Sequence, residues 1–169
     1  MAEQHAKTAI GEHGVGRELV MKRVFDAPRK VVFAAWTDPK QLAQWWGPTG
    51  FTNPVCELDV RPGGAIRIDM RAPDGTIYPM TGVFVKIVAP DRLVFTERIV
   101  FTSVAMDKYG KPLFENLNTV TFAEQGGKTL MTLHVRVVKS TAGAVQHLAG
   151  MDEGWKLTLD RLEAFVTKG

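Results

Sequence analysis

The C-terminal stretch from Ser140 to Gly169 constrains this chain more than any other. Leu148, Met151, Trp155, Leu159, Leu162 and Phe165 recur in steps of three or four residues, while Asp152, Glu153, Lys156, Asp160, Arg161 and Glu163 occupy the remaining positions. The spacing predicts one long amphipathic helix whose apolar face needs a sheet or groove to cover it. Gly150 and Gly154 sit one turn apart in this stretch, where alanine would be favoured by about 1 kcal/mol each. Two explanations remain open: a close backbone approach, or space left beside the helix.

The rest of the chain supplies a cover. Residues 1–16 are polar and glycine-containing, a flexible lead-in to a single domain over residues 17–169. Arg17–Phe25 mixes β-branched and charged residues as a first strand, with Lys22 and Arg23 expected on solvated faces. Two short helices follow. Pro28 is placed in the first turn of one, and Asp38-Pro39 opens the other as N-cap and N1, with Gly47-Pro48 stopping it. From there to Val138 the pattern is strand-like: Val55–Val60, Ala65–Arg71, Thr76–Val88 with a bend at Gly82, Arg92–Phe101, Phe114–Glu124 and Lys128–Val138. Thr102–Pro112 reads as a polar hairpin tip and a candidate lid. Closely spaced strands with tight turns imply an antiparallel meander of about six to seven strands. The fold class is therefore α+β, a single curved sheet with helices on its concave side.

Composition narrows the function classes. The net charge is +3, from 21 basic and 18 acidic residues that are interleaved along the chain, unlike the concentrated basic face of a nucleic-acid binder. No apolar run approaches the roughly 20 residues of a membrane span. Cys56 is the only cysteine and the N-terminus has no apolar signal core, which favours a reducing, cytoplasmic location. Four histidines are widely spaced, so no metal site is expected, and no cofactor motif is present. Cys56 has no activating motif beside it and reads as a small buried residue.

Several segments, in order, carry a family resemblance. They are Arg23–Pro39 (R-x-F-D-A-P-R-x-V-x-x-A-W-T-D-P), Trp45-Trp46-Gly47-Pro48, Asp59–Gly64 (D-x-R-P-G-G), Met70–Gly75 (M-R-A-P-D-G), Thr81–Phe84, Arg92–Thr96 and Glu153–Leu162 (E-G-W-K-x-x-L-D-R-L). Together they resemble the START-like (SRPBCC, Bet v 1-type) superfamily, in the branch of the C-terminal domain of the Hsp90 ATPase activator Aha1. The resemblance spans roughly Arg17 to Phe165. It implies a helix-grip fold, a curved antiparallel sheet around a long C-terminal helix with a hydrophobic tunnel between them. It implies no single activity, because superfamily members include lipid, steroid and hormone binders as well as polyketide aromatase/cyclases.

In the implied fold the inner surface would be lined by Trp45, Trp46, Phe51, Met80, Phe84, Phe95, Phe101, Met151, Trp155 and Leu159, residues that would otherwise fill an ordinary core. Three polar residues sit inside strands: Asp69, Glu97 and His134. If they face inward, burial would perturb them and make them acid–base or ligand-binding candidates; if outward, they are solvated. The leading expectation is a binder of a small hydrophobic molecule. Alternatives are a cyclase- or hydrolase-like enzyme using Asp69, Glu97 or His134, and a stress-response module that docks on a chaperone. Oligomeric state stays open between monomer and homodimer.

Overall fold

The computed structural model describes residues 11–100 and 113–167. The candidate lid Thr102–Pro112, the expected liner Phe101 and residues 1–10 lie outside the described residues.

Seven strands form one antiparallel sheet: β1 (Glu18–Phe25), β2 (Thr52–Leu58), β3 (Ala65–Arg71), β4 (Ile77–Val88), β5 (Arg92–Val100), β6 (Leu113–Gln125) and β7 (Lys128–Ser140). Their order across the sheet is β1-β7-β6-β5-β4-β3-β2. Strands β2 to β7 run as a meander, and β1 pairs with β7. Consecutive strands β1 and β2 thus occupy opposite edges. The two helices between them, α1 (Arg29–Thr37) and α2 (Pro39–Trp45), carry the chain from one edge to the other. Asp38 caps α2 as expected, its side chain accepting from the Lys40 amide at 3.0 Å. Pro28 stands at the N-cap of α1, one position outside the helix, and its carbonyl accepts the Val31 and Val32 amides.

Alternation decides what each strand buries. Ile66, Ile68 and Met70 of β3 are buried while Arg67 and Arg71 are exposed; Met131, Leu133, Val135 and Val137 of β7 are buried by the same period. These side chains form one core with Phe25, Val32, Trp36 and Trp45, and with Leu159 and Leu162 from the C-terminal helix. Each such side chain stabilises the fold by about 1.5–3 kcal/mol relative to exposure.

The C-terminal stretch differs from the single helix expected from Ser140. Strand β7 continues to Ser140, which still pairs with Phe114, because sheet hydrogen bonds satisfy that backbone first. A 3₁₀ turn (Ala142–Ala144) leads into α3 (Val145–Ala149), and α4 (Met151–Val166) begins after a break at Gly150, where φ is −94° and ψ is 7°. Edge strand β1 and the residue just before it hold this assembly through arginines. Arg17 donates to the Leu148 carbonyl and pairs with Asp152 at 2.6 Å. Arg23 pairs with Asp160 at 2.9 Å and Glu163 at 3.5 Å. Arg23 therefore corrects its expected solvated placement: the concave side of β1 faces the acidic edge of α4. Residues 11–16 belong to this edge as well, since the Gly16 amide donates to the Val137 carbonyl.

Gly82 is needed for close approach. A Cβ there would sit 1.9 Å from the Thr96 carbonyl oxygen on β5, in rigid backbone. The bulge between Phe84 and Lys86 follows immediately and bends β4 around the core. Gly82→Ala is expected to destabilise the protein by about 3 kcal/mol, read as a lower urea midpoint with an unchanged slope.

Candidate functional site

The core is incomplete at one end of the concave face. There the sheet contributes Met70, Tyr78, Glu97, Ile99, Phe114 and Asn116, and the helices contribute Leu148, Met151, Trp155 and Thr158. The Trp46-Gly47-Pro48 turn and Phe51 close a third side. They enclose a mostly apolar, partly open cavity of about 280 Å³, just below the range of about 300–1,000 Å³ usual for ligand pockets. Gly150 and Gly154 both border it, and a Cβ on Gly154 would meet nothing within 4 Å. Of the two explanations left open by the sequence, space beside the helix is the one that applies at Gly154.

Of the residues singled out from the sequence, Trp46, Phe51, Glu97, Met151 and Trp155 meet at this cavity. Met80, Phe84 and Phe95 line a separate void of only about 10 Å³ against Trp36 and Trp46. Trp45 and Leu159 are fully buried in the packed core, and the Trp45 indole donates to the Ala35 carbonyl at 3.0 Å. Asp69 and His134 are placed on the convex side, because Ile68 and Met70, and Leu133 and Val135, take the concave one. Asp69 lies 3.4 Å from Arg67, and His134 Nε2 lies 2.5 Å from Glu18 Oε1. Cys56 is half-buried, and burial pushes its thiol up to about 11, far from a reactive thiolate. Among the described residues no group of three His, Cys, Asp or Glu could hold a metal ion, and no helix is long and apolar enough to cross a membrane.

Sequence reasoning missed two features. One is the pair of asparagines on β6. Phe114, Asn116, Asn118, Val120 and Phe122 share one face, and two amides within that apolar alternation were the available signal. Asn116 stands directly across from Glu97, and Asn118 lies one inward position along. All three are buried, at 1%, 7% and 0% exposure for Asn116, Glu97 and Asn118. The Asn118 amide donates to Glu97 Oε1 at 3.0 Å. Burial is the largest influence on Glu97 and raises its carboxyl above the usual range, opposed by hydrogen bonds from Asn118 and Asn116. The Oδ1 atoms of both asparagines have no hydrogen-bond partner.

The other is Arg161, which the helical pattern assigned to the polar face. Its guanidinium donates to the carbonyls of Trp46, Gly47 and Pro48 at 2.9–3.1 Å, and to that of Gln44 at 3.1 Å. Partial burial lowers its pKa. Asn53 adds donors to the Ala43 and Trp46 carbonyls at 3.1 and 2.9 Å. The carbonyls left unpaired at the end of α2 are thus satisfied by side chains, and the turn that walls the cavity is tied to α4.

Two outcomes follow. Arg161→Ala is expected to cost about 2–3 kcal/mol in urea unfolding, and Arg161→Lys to recover little of it, since one ammonium cannot reproduce the planar fork. For Glu97 the folded state holds the proton more tightly than the unfolded chain. Its contribution to stability is therefore greatest below its ordinary value of 4.5 and falls as pH rises through the folded value. Glu97→Gln keeps an acceptor for Asn118 and removes the titration, so its stability relative to the parent should rise as the pH climbs above 4.5; a gap independent of pH would contradict a raised carboxyl.

Comparison with known proteins places this architecture. The family model described as "Activator of Hsp90 ATPase homolog 1-like protein" matches residues 26–167. Among solved structures, an uncharacterised protein from Rhizobium leguminosarum is 27% identical with a TM-score of 0.76, the match covering 90% of this chain and 95% of that one. A protein from Arthrobacter aurescens, solved by NMR in solution, is 29% identical with a TM-score of 0.72, over 90% and 87% of the two chains. The AHSA1 protein from Silicibacter pomeroyi shares the fold at 23% identity and a TM-score of 0.67, over 89% and 97%. No curated protein matches the chain in sequence. With a helix-grip sheet around α4 and the family match running from the end of β1 through α4, the chain belongs to the Hsp90-ATPase-activator homolog 1-like (AHSA1) family of the START-like superfamily.

Proposed function

We propose that this protein binds a small hydrophobic molecule in the cavity between the sheet and α4, in a reducing compartment such as the cytoplasm. The observation that carries the reading is the open space beside Gly154. A helix otherwise built to pack retains a glycine at a site where a Cβ would meet nothing within 4 Å. Dense packing is the norm for protein interiors, so an apolar space of this size, walled by aromatic rings and with few polar groups, has the character of a ligand pocket.

A second reading, an enzyme using cavity acid–base groups, is favoured by one observation, the buried carboxyl of Glu97 at the cavity wall. Asp69 and His134, on the convex side, take no part in it. The reading requires that the protein speed α-proton exchange of an enolisable two-ring ketone such as 2-tetralone in D₂O, and that Glu97→Gln abolish the effect; equal rates with both would end it. A chaperone-docking role in a stress response has less support. Among the described residues, exposed valines are scattered over β1 (Val20, Val24), α1 (Val31), β4 (Val83, Val85, Val88), α3 (Val145) and the turn after β2 (Val60), with β1 and β4 four places apart in the sheet.

The binding reading is tested by filling the space. Gly154→Leu should leave the unfolding midpoint equal or higher, since replacing a helical glycine gains up to about 1 kcal/mol. It should weaken uptake of the neutral apolar probe N-phenyl-1-naphthylamine at least about tenfold, read from probe fluorescence. Unchanged uptake by the folded variant would overturn the reading.

A further inference from the structure

The cavity is not uniformly apolar. Glu97 and Asn116 occupy neighbouring positions on β5 and β6 and both line it. Asn116 is 1% exposed and its Oδ1 has no donor. A buried acceptor without a partner costs free energy that a suitable ligand group would recover. The rest of the wall at this end carries the aromatic rings of Trp46, Phe51, Tyr78, Phe114 and Trp155. No Lys, Arg or His is among the described lining residues, and the nearby Arg161 guanidinium is occupied by four backbone carbonyls.

Resting on the binding reading above, we propose that Glu97 and Asn116 form a hydroxyl-recognition subsite. The cavity would then select an uncharged aromatic molecule bearing a hydroxyl group over the matching hydrocarbon and the matching carboxylate. The Asn116 Oδ1 is itself sealed in the wall; once the side-chain amide turns toward the cavity, a hydroxyl donates to that oxygen and accepts a hydrogen bond from the Glu97 carboxyl, whose burial favours its neutral form. A hydrocarbon leaves the Asn116 acceptor unpaired. A carboxylate would bring an unpaired charge beside an acidic group in a low-dielectric wall, with no Lys, Arg or His among the described lining residues to meet it. An ammonium would require Glu97 to ionise against its burial.

The test uses the full chain and displacement of N-phenyl-1-naphthylamine at neutral pH by three molecules of one shape: 2-naphthol, 2-methylnaphthalene and 2-naphthoate. The expected order is 2-naphthol tightest, 2-methylnaphthalene about tenfold weaker and 2-naphthoate at least about a hundredfold weaker. In Asn116→Leu, 2-naphthol should lose its advantage while 2-methylnaphthalene still displaces the probe. If that variant does not fold, the order measured on the parent protein decides alone. Equal displacement by 2-naphthol and 2-methylnaphthalene, or tighter binding of 2-naphthoate, overturns the subsite while leaving a hydrophobic binder in place. Displacement by none of the three, together with probe uptake insensitive to Gly154→Leu, overturns both.

Discussion

The guanidinium of Arg161 bonds the C-terminal helix to the backbone at the far end of α2, and the shape of the molecule depends on that contact. The sheet presents its two edge strands on opposite sides, and α1 and α2 must cross between them. The end of α2 then leaves carbonyls without helical partners inside the structure. A side chain with several donors in fixed directions answers that need, and α4 supplies it from above. On the other flank of the same helix, Arg17, just before β1, and Arg23 of β1 hold α3 and α4 against the first edge. The helix is therefore fastened at its two flanks by charge-assisted contacts, while its apolar face is free to meet the sheet.

That division of labour lets the core remain unfilled in one place. Toward α1 and β1 the helix packs with Leu159 and Leu162 fully buried. Toward its start, the break at Gly150 and the missing side chain at Gly154 leave space against the wall of Trp46, Phe51, Phe114 and Trp155. A cavity in an all-apolar protein interior would be costly. Here the flanking arginine contacts and the extensive sheet hold the surrounding elements apart without relying on what lies between them. The cavity wall also contains a buried carboxyl, Glu97, which links the stability of the fold to the protonation of the site.

Much of the fold was readable along the chain. The strict alternation of Ala65–Arg71 gave β3 with its boundaries, and Asp38-Pro39 marked the start of α2, because both signals are local and the physics behind them acts within a few residues. Reading was poorer where a long-range partner decides. Arg23 and Arg161 look like solvated charges until β1 is laid beside α4 and α2 beneath it. Asp69 stands between Ile68 and Met70 and His134 between Leu133 and Val135, whereas Glu97 stands between Thr96 and Arg98 in an otherwise apolar strand, and of the three only Glu97 faces the cavity. A strand's period tells which residues share a face, and only its partners tell which face is covered.

By itself the sequence determined most element types, the antiparallel meander and the need for a helix across it, since periodicity and turn chemistry are properties of short segments, and its ordered motifs carried the resemblance to the family that matches residues 26–167. The tertiary structure alone decided that the helix breaks at Gly150 and that the space at Gly154 is open. It alone brought Asn116 beside Glu97 in the wall of a cavity, across a strand pairing that joins residues 19 positions apart. Burial, cavity shape and the protonation of a carboxyl are set by atoms that arrive from elsewhere in the chain, and no local pattern encodes where they will meet.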